Sequence, residues 1–174
     1  MASGNFQPCL DILLEEEGGF VNDPRDPGGA TNYGVTLSAL QHWVGQSRVV
    51  LVQDVRDLTP ATVAPIYQAG FWQPVRGDLL PLGVDLATFD FGVNSGPGTA
   101  IRALQQAVGA SVDGLIGPNT LIAVGKVSPA TLIDEISVAR ETLLRGLSNF
   151  RAFGAGWLAR VGRIKAKALA MAGQ

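Results

Sequence analysis

The sequence has few of the residues on which many structural and catalytic sites depend. It contains one cysteine, Cys9, and one histidine, His42, among 174 residues. A single cysteine cannot form an intramolecular disulfide, and a zinc site needs three or four protein ligands. Disulfide scaffolds, cysteine clusters and histidine-rich zinc sites are therefore excluded. Carboxylates remain the plausible chemical groups.

Charged residues and long hydrophobic runs are also scarce. Charged residues make up 16% of the chain and the formal net charge is -2, which does not favour a nucleic-acid-binding protein. The first residues lack a basic segment, and their longest apolar run is far shorter than a signal peptide or membrane span requires. We therefore expect a protein made in the cytoplasm without a signal peptide, which neither binds nucleic acid nor inserts stably into membranes. We also expect it to be a monomer.

One stretch, EGGFVNDPRDPGGATNYGVT from Glu17 to Thr36, has the composition of a functional loop. Its twenty residues include three acidic residues, five glycines and two prolines, and an apolar, helix-like segment leads into it. Loops that are dense in turn-forming residues and carboxylates often carry the function of a domain. We interpret this stretch as the active site of a sugar-cleaving enzyme.

Glu17 continues the apolar stripe of the helix before it. Leucines recur at positions 10, 13 and 14, and Glu17 lies seven, four and three residues beyond them. That spacing places Glu17 on the apolar face, whereas Glu15 and Glu16 fall on other faces. An apolar surround and the negative end of the helix dipole both favour the protonated form of a carboxyl group at this place. Glycoside cleavage needs such a general acid, so Glu17 is the candidate; the alternative is a helix-end glutamate without a role.

The loop after Glu17 is predicted to turn back towards the end of the helix. Gly18-Gly19 end the helix, and the Asp-Pro and Pro-Gly-Gly steps that follow are turn sequences. The segment around Thr31, Tyr33 and Val35 favours a short hairpin. Asp26 comes nine residues after Glu17, which is enough chain for its carboxyl group to face the helix end. Asp26 is therefore the candidate for a second carboxylate, with a glycosidic bond between the two.

The remainder of the chain reads as a set of helices around a buried one. The segment from Val84 to Val93 is almost entirely apolar, which indicates a helix enclosed by protein, and Asp90 within it is interpreted as structural. The segment from Val49 to Val55 is rich in β-branched residues and predicts a short strand or a buried loop. Capping residues and amphipathic spacing predict further helices after Thr36, Thr59 and Thr99, and over Pro129 to Leu147 and Gly156 to Ala172.

Basic residues are concentrated in the last quarter of the chain. Those beyond Lys126 are Arg140, Arg145, Arg151, Arg160, Arg163, Lys165 and Lys167. They either face an acidic polymer or belong to an ordinary solvated helix face, and composition does not choose between these alternatives.

The stretch from Glu17 to Thr36 resembles the signature of glycoside hydrolase family 108, the N-acetylmuramidases found among phage endolysins and in bacterial secretion loci. The matching residues are Glu17-Gly18-Gly19, Asp23-Pro24, Asp26-Pro27-Gly28-Gly29, Thr31 and Tyr33-Gly34-Val35-Thr36. Three later segments are similar to the same proteins: Phe71-Trp72, Phe89 to Gly98 and Val112 to Thr120. The last of these also resembles the turn of peptidoglycan-binding helical modules. The resemblance covers nearly the whole chain.

The resemblance implies a mainly α, lysozyme-like fold, with a helical bundle around a buried central helix and a small β-hairpin next to the active site. It implies a catalytic part over residues 1–98 and a helical, peptidoglycan-binding-like part over residues 99–174, packed on it as one compact unit. It also implies hydrolysis of the β-1,4 bond between N-acetylmuramic acid and N-acetylglucosamine in bacterial peptidoglycan, after holin-type or similar release from the cell. Neither a metal nor a cofactor is implied.

In the implied mechanism Glu17 protonates the leaving oxygen. Asp26 either activates water on the opposite face of the sugar or stabilises the oxocarbenium-like transition state. Thr31 is the candidate for positioning the water, and the alternatives are Asn32 or neither of the two. Asn32, Tyr33 and Asn94 are the candidate substrate-binding residues.

Two other functions remain open from the sequence. One is a non-catalytic wall-binding module built around the loop from Val112 to Thr120. The other is a lytic transglycosylase, which needs a single acid and forms an anhydro product. The masses of the released products distinguish hydrolysis from that reaction, because an anhydro product is one water lighter.

Overall fold

The computed structural model describes residues 4–22 and 29–173. It is 66% helical, with nine α-helices and one two-stranded sheet in the described part of the chain. The helices are α1 (Phe6–Glu16), α2 (Leu37–Val44), α3 (Val52–Arg56), α4 (Pro60–Tyr67), α5 (Val84–Ser95), α6 (Pro97–Ala107), α7 (Pro118–Val124), α8 (Pro129–Arg145) and α9 (Phe150–Met171). A π-helical segment, Gln68–Trp72, follows α4, and a 3-10 turn, Gly77–Leu79, precedes α5. The predicted mainly α class is confirmed.

The described chain divides into two compact units. One unit is Leu10–Gln68, and the other comprises the rest of the described chain. The domain division expected from the sequence, residues 1–98 and 99–174, stays a prediction. None of the helices in the described ranges has both the length and the apolar composition of a membrane-spanning segment.

The unit Leu10–Gln68 contains the predicted hairpin. Strand β1 (Thr31–Asn32) pairs antiparallel with strand β2 (Val35–Thr36), with Thr31 opposite Thr36 and Asn32 opposite Val35. The two turn residues both have positive φ, +49° at Tyr33 and +71° at Gly34. A two-residue hairpin with this pattern is the type I′ turn, whose twist matches that of the strands. The turn places Gly34 where little else than glycine is accommodated.

Helix α2 begins as predicted, whereas α3 corrects the prediction for its segment. The Thr36 hydroxyl accepts a hydrogen bond from Ala39 N at 3.1 Å, as an N-cap does. The segment from Val49 to Val55 is neither a strand nor a buried loop, because α3 begins at Val52. The Asp54 carboxylate accepts from Leu51 N at 2.7 Å and caps this short helix. The β-branched residues favoured a strand, but the segment forms a helix whose first turn is capped by the Asp54 carboxylate.

The second unit is built around α5, as the sequence predicts. Nine of the twelve residues of α5 are buried, and helices α6, α8 and α9 pack against it. Helix α6 begins at Pro97, two residues before the predicted start, because proline suits the first turn of a helix. Helix α9 begins at Phe150, six residues earlier than predicted. A side chain at Gly154 would lie 2.5 Å from the Phe150 ring, so this glycine makes room for the ring within the helix.

Asp90 lies on α5 and is fully buried, as its structural interpretation requires. Its carboxylate pairs with the guanidinium groups of Arg140 on α8 and Arg160 on α9, with Arg160 Nη2 at 2.6 Å from Oδ1. Two of the C-terminal basic residues therefore serve an internal ion cluster. Lys165 pairs with Asp134 at 2.9 Å on the surface.

Candidate active site

Glu17 lies one residue beyond the end of α1. Its backbone N–H donates to Leu13 O at 3.2 Å, so the chain keeps its helical path to this point. Leu10 and Leu13 are fully buried, Glu17 is partly exposed, and Glu15 is exposed. The leucine spacing therefore separated Glu17 from the exposed Glu15, whereas Glu16 is partly exposed as Glu17 is. A carboxyl group that is partly covered and reachable from outside suits a group that exchanges a proton with a substrate.

The Glu17 carboxyl group lies against the turn of the hairpin. A Cβ atom placed on Gly34 would be 2.7 Å from Glu17 Oε2 and 2.6 Å from the Tyr67 hydroxyl oxygen. The backbone of Gly34 therefore has a carboxyl group and a phenol directly beside it. The Tyr67 hydroxyl donates to Tyr33 O at 2.8 Å, which ties α4 to the same turn.

Backbone hydrogen bonds join the hairpin to the residues that follow Glu17. Tyr33 N donates to Gly18 O at 3.1 Å. Val21 and Thr31 form an antiparallel bridge in which each N–H donates to the other residue's carbonyl at 2.8 Å. Two separate points of attachment thus hold the turn at a fixed position relative to the Glu17 backbone. Such rigid support is what a catalytic carboxyl needs, because small displacements reduce catalysis strongly.

The Asn32 side chain points into the protein. It is 5% exposed, and its amide nitrogen lies 3.1 Å from Val55 O, 3.1 Å from Arg56 O and 3.4 Å from Leu58 O at the end of α3. The Arg56 guanidinium carbon lies 4.1 Å from the centre of the Phe20 ring. These contacts anchor the hairpin on α3. The substrate-binding role of Asn32 stays a prediction.

The other predicted site residues occupy different places. Thr31 and Tyr33 are partly exposed, and Thr31 uses its backbone to pair with Val21. Asn94 is exposed near the end of α5, where its amide donates to Asp90 O at 3.0 Å. Asp26 falls outside the described residues. The roles predicted for these four residues stay predictions.

A concave surface is formed at the loop between α6 and α7. It has a volume of about 700 Å³, and Arg76, Asp113, Leu115 and Ile116 are among its lining residues. The fully buried Gln105 holds the loop: its amide nitrogen donates to Asp113 Oδ1 at 2.7 Å and to Leu115 O at 3.0 Å, and its oxygen accepts from Gly114 N at 2.9 Å. The Gln105 hydrogen bond in particular holds the pKa of Asp113 below its usual range.

Within the described residues, no group of three or more His, Cys, Asp or Glu side chains is placed to hold a metal ion. The groups next to the Glu17 carboxyl are the hairpin turn and the Tyr67 hydroxyl. Sequence reasoning missed two residues there, Tyr67 and Gly34. Tyr67 carried no signal beyond its place in a predicted helix, and Gly34 appeared only as one glycine of the motif.

A mainly helical fold with a small hairpin beside the end of its first helix is typical of lysozyme-like glycoside hydrolases. Residues 10–96 match the family described as glycosyl hydrolase 108. Residues 99–162 match a second family, described as a predicted peptidoglycan domain. The chain belongs to glycosyl hydrolase family 108, with a peptidoglycan-binding domain on its C-terminal side.

A solved structure supports the same assignment. The chain is similar to SagA from Brucella abortus, with 44% sequence identity, a TM-score of 0.85, and coverage of 97% of this chain and 96% of the other. A comparison with curated proteins gives no match. The predicted lysozyme-like fold is confirmed, and the chain is a glycoside hydrolase that acts on peptidoglycan.

Proposed function

We propose that the chain is an N-acetylmuramidase that hydrolyses the β-1,4 bond between N-acetylmuramic acid and N-acetylglucosamine, with Glu17 as the general acid. The observation that carries the proposal is the position of the Glu17 carboxyl group, at the end of α1 and against Gly34 of the hairpin. A carboxyl group in such a place protonates the leaving oxygen while the bond to the sugar breaks.

The remaining steps are assigned to the loop that follows Glu17. Asp26 activates a water molecule on the opposite face of the sugar ring or stabilises the oxocarbenium-like transition state, and Thr31 positions the water. The separation of the two carboxyl groups decides between these roles, because a base needs room for water and a nucleophile does not. The Tyr67 hydroxyl supports this arrangement through its hydrogen bond to Tyr33 O.

Binding of the wall is assigned to the surface around the loop from Val112 to Thr120. The match of residues 99–162 to a peptidoglycan domain and the concave surface at that loop both support it. In this arrangement one chain both holds the polymer and cuts it. The protein reaches the wall after release through a membrane pore of the holin type.

Digestion of purified peptidoglycan tests the bond specificity. Mass spectrometry of the products should show fragments with reducing N-acetylmuramic acid ends and the mass of added water. Reducing N-acetylglucosamine ends would instead identify a glucosaminidase. Products one water lighter would identify a lytic transglycosylase, and binding without any product would leave only the wall-binding function.

A further inference from the structure

Two aromatic side chains of α9 lie in contact at the surface. The rings of Phe153 and Trp157 have centroids 5.9 Å apart and are inclined by 30° to each other. Phe153 is 57% exposed, and Trp157 is partly exposed. A single exposed apolar side chain is ordinary, whereas adjoining exposed rings are typical of an interaction surface. We call these two residues the aromatic platform.

A glycine keeps the space beside the platform open. Gly156 lies within α9, three residues after Phe153, and therefore on the same side of the helix. Apart from its two chain neighbours and the backbone of α9, a Cβ atom added at Gly156 would have no atom of the described structure within 4 Å. Glycine within a helix is destabilising relative to alanine. Packing does not account for glycine here, whereas a ligand that lies against the rings does, because it needs the open space.

A pocket adjoins the platform at Trp157. Its volume is about 160 Å³, and its lining includes Trp157, Leu147, Asn94 and Ser95. The Asn94 amide nitrogen donates to Asp90 O at 3.0 Å, which fixes the side chain and leaves its oxygen as an acceptor. The Ser95 hydroxyl supplies a donor. The pocket therefore offers an acceptor and a donor beside apolar walls, with room for a small chemical group.

An acetamido group has the size and polarity that this pocket accommodates. It consists of an N–H donor, a carbonyl acceptor and a methyl group, and both N-acetylmuramic acid and N-acetylglucosamine carry one. The apolar face of a sugar ring stacks on aromatic side chains. Residues 99–162, which match the peptidoglycan domain, contain the platform. The platform and the pocket together therefore match an N-acetylated sugar of a glycan strand.

We propose that the aromatic platform binds the glycan strand of peptidoglycan, with a sugar ring stacked on the two rings and its acetamido group in the adjoining pocket. The acetamido N–H donates to the Asn94 oxygen, its carbonyl oxygen accepts from the Ser95 hydroxyl, and its methyl group contacts Leu147. The site differs from the concave surface at the loop between α6 and α7, since none of the described residues lines both. It goes beyond the proposed function, because neither the bond that is cleaved nor Glu17 enters it.

Nuclear magnetic resonance of the wild-type protein with two soluble trisaccharides tests the site. The probes are N,N′,N″-triacetylchitotriose, in which every sugar carries an acetamido group, and cellotriose, a β-1,4-linked glucose trimer in which a hydroxyl group replaces it. The indole N–H signal of Trp157, assigned with Trp157→Phe, reports on the site, and that of the buried Trp72 is the reference. Triacetylchitotriose should shift the Trp157 signal and bind about five-fold more tightly than cellotriose, because cellotriose lacks the acetamido hydrogen bonds.

Variants of the platform and of the space beside it separate sugar stacking from folding. Phe153→Ala should weaken binding of triacetylchitotriose about five-fold, and Phe153→Tyr should bind as the wild type does. Gly156→Leu should weaken binding similarly, because the new side chain packs on the Phe153 ring, although leucine favours the helix. Gly162→Leu is the matched control. Gly162 is exposed in α9 and equally open, but it lies on the opposite side of the helix from Phe153, so binding should not change.

The site would be overturned by an unmoved Trp157 signal, by equal affinity for the two trisaccharides, or by wild-type affinity in a folded Phe153→Ala protein. An equal loss in Gly156→Leu and Gly162→Leu would also contradict it. A Trp157 signal that changes with protein concentration and not with sugar would show instead that a second copy of the chain covers the platform. The masses of the products released from peptidoglycan do not enter this test, so failure here is distinguishable from failure of the muramidase proposal.

Discussion

Gly34 is the residue on which the proposed acid and its neighbouring phenol converge. Its Cα carries no side chain, and its φ of +71° lies in the region that favours glycine. The Glu17 carboxyl and the Tyr67 hydroxyl occupy the space that a side chain would take. The geometry at this one residue therefore connects the hairpin directly to the proposed chemistry.

We predict that Gly34→Ala lowers peptidoglycan hydrolysis at least ten-fold. The new methyl group would overlap Glu17 Oε2 and the Tyr67 oxygen, so the carboxyl group must move. Rates on purified peptidoglycan measure the effect, and circular dichroism verifies the fold. Gly45→Ala is the matched control, since Gly45 has a φ of +66° and no atom within 4 Å of the added carbon in the described structure. Equal losses in the two variants would show that backbone strain alone, and not crowding of Glu17, is responsible.

Sequence reasoning reached part of this arrangement. Helical spacing distinguished Glu17 from Glu15, and turn chemistry predicted the hairpin, because both are local properties. The approach of Tyr67 to Gly34 joins residues far apart in the chain and leaves no periodic signal. Contacts of that kind depend on tertiary packing, which a single sequence does not display.

At the level of elements, the loop between α6 and α7 depends on one buried side chain. The Gln105 side chain forms hydrogen bonds with the Asp113 carboxylate, Gly114 N and Leu115 O, and these bonds hold the loop in its conformation. We predict that Gln105→Leu reduces retention on insoluble peptidoglycan at least five-fold, because the loop loses its shape while the core stays apolar. Co-sedimentation with purified wall measures this. Gln106→Leu, at the exposed neighbouring position, should leave retention unchanged, and equal retention by both variants would contradict the assignment.

The same loop has a defined response to acid. The pKa of Asp113 is lowered chiefly by the Gln105 hydrogen bond. The ionised Asp113 carboxylate therefore stabilises the folded protein above the ordinary pKa of about 4, and this stabilisation is lost as pH falls through the lowered pKa. In Gln105→Leu the pKa of Asp113 should rise towards that ordinary value, which a carboxyl titration by nuclear magnetic resonance measures.

For helix α3, amino-acid composition predicted the wrong secondary structure. The segment that became α3 is rich in β-branched residues, yet Asp54 caps it and Arg48 pairs with Asp54 at 2.8 Å. Strand propensity reflects packing on a sheet, and the two-stranded hairpin offers no further strand there. Helix α5 was predictable for the opposite reason: its nearly continuous apolar sequence requires burial on all sides.

For the molecule as a whole, the Asp90 cluster joins α5, α8 and α9. We predict that Asp90→Asn lowers the free energy of unfolding by about 3–5 kcal/mol, because the buried Arg140 and the partly exposed Arg160 lose the carboxylate that they share. Urea denaturation measures the change. Asp134→Asn, which breaks the surface pair with Lys165, is the comparison and should cost less than about 1 kcal/mol. A similar, small loss in both variants would mean that the cluster contributes little.

The sequence indicated that Asp90 needed a partner, but not that two arginines from distant helices supply it.

A second buried carboxyl makes stability depend on pH. Asp85 is 0% exposed, and burial raises its pKa even though Asn5 Nδ2 and Leu86 N donate to it at 2.7 Å. The folded state therefore holds this proton more tightly than the unfolded state. Stability relative to Asp85→Asn should fall as pH rises from about 4 through the raised pKa. Urea denaturation of both proteins between about pH 4 and 7 tests this, and a constant difference would contradict it.

The activity of Glu17→Gln on purified peptidoglycan tests the central claim most directly. The amide keeps the shape of the side chain and cannot donate the proton, so a folded Glu17→Gln protein should lose hydrolysis by at least about a hundred-fold. Glu15→Gln, two residues away and exposed, is the matched control and should release the same products at the wild-type rate. Wild-type hydrolysis by a folded Glu17→Gln protein would contradict the account.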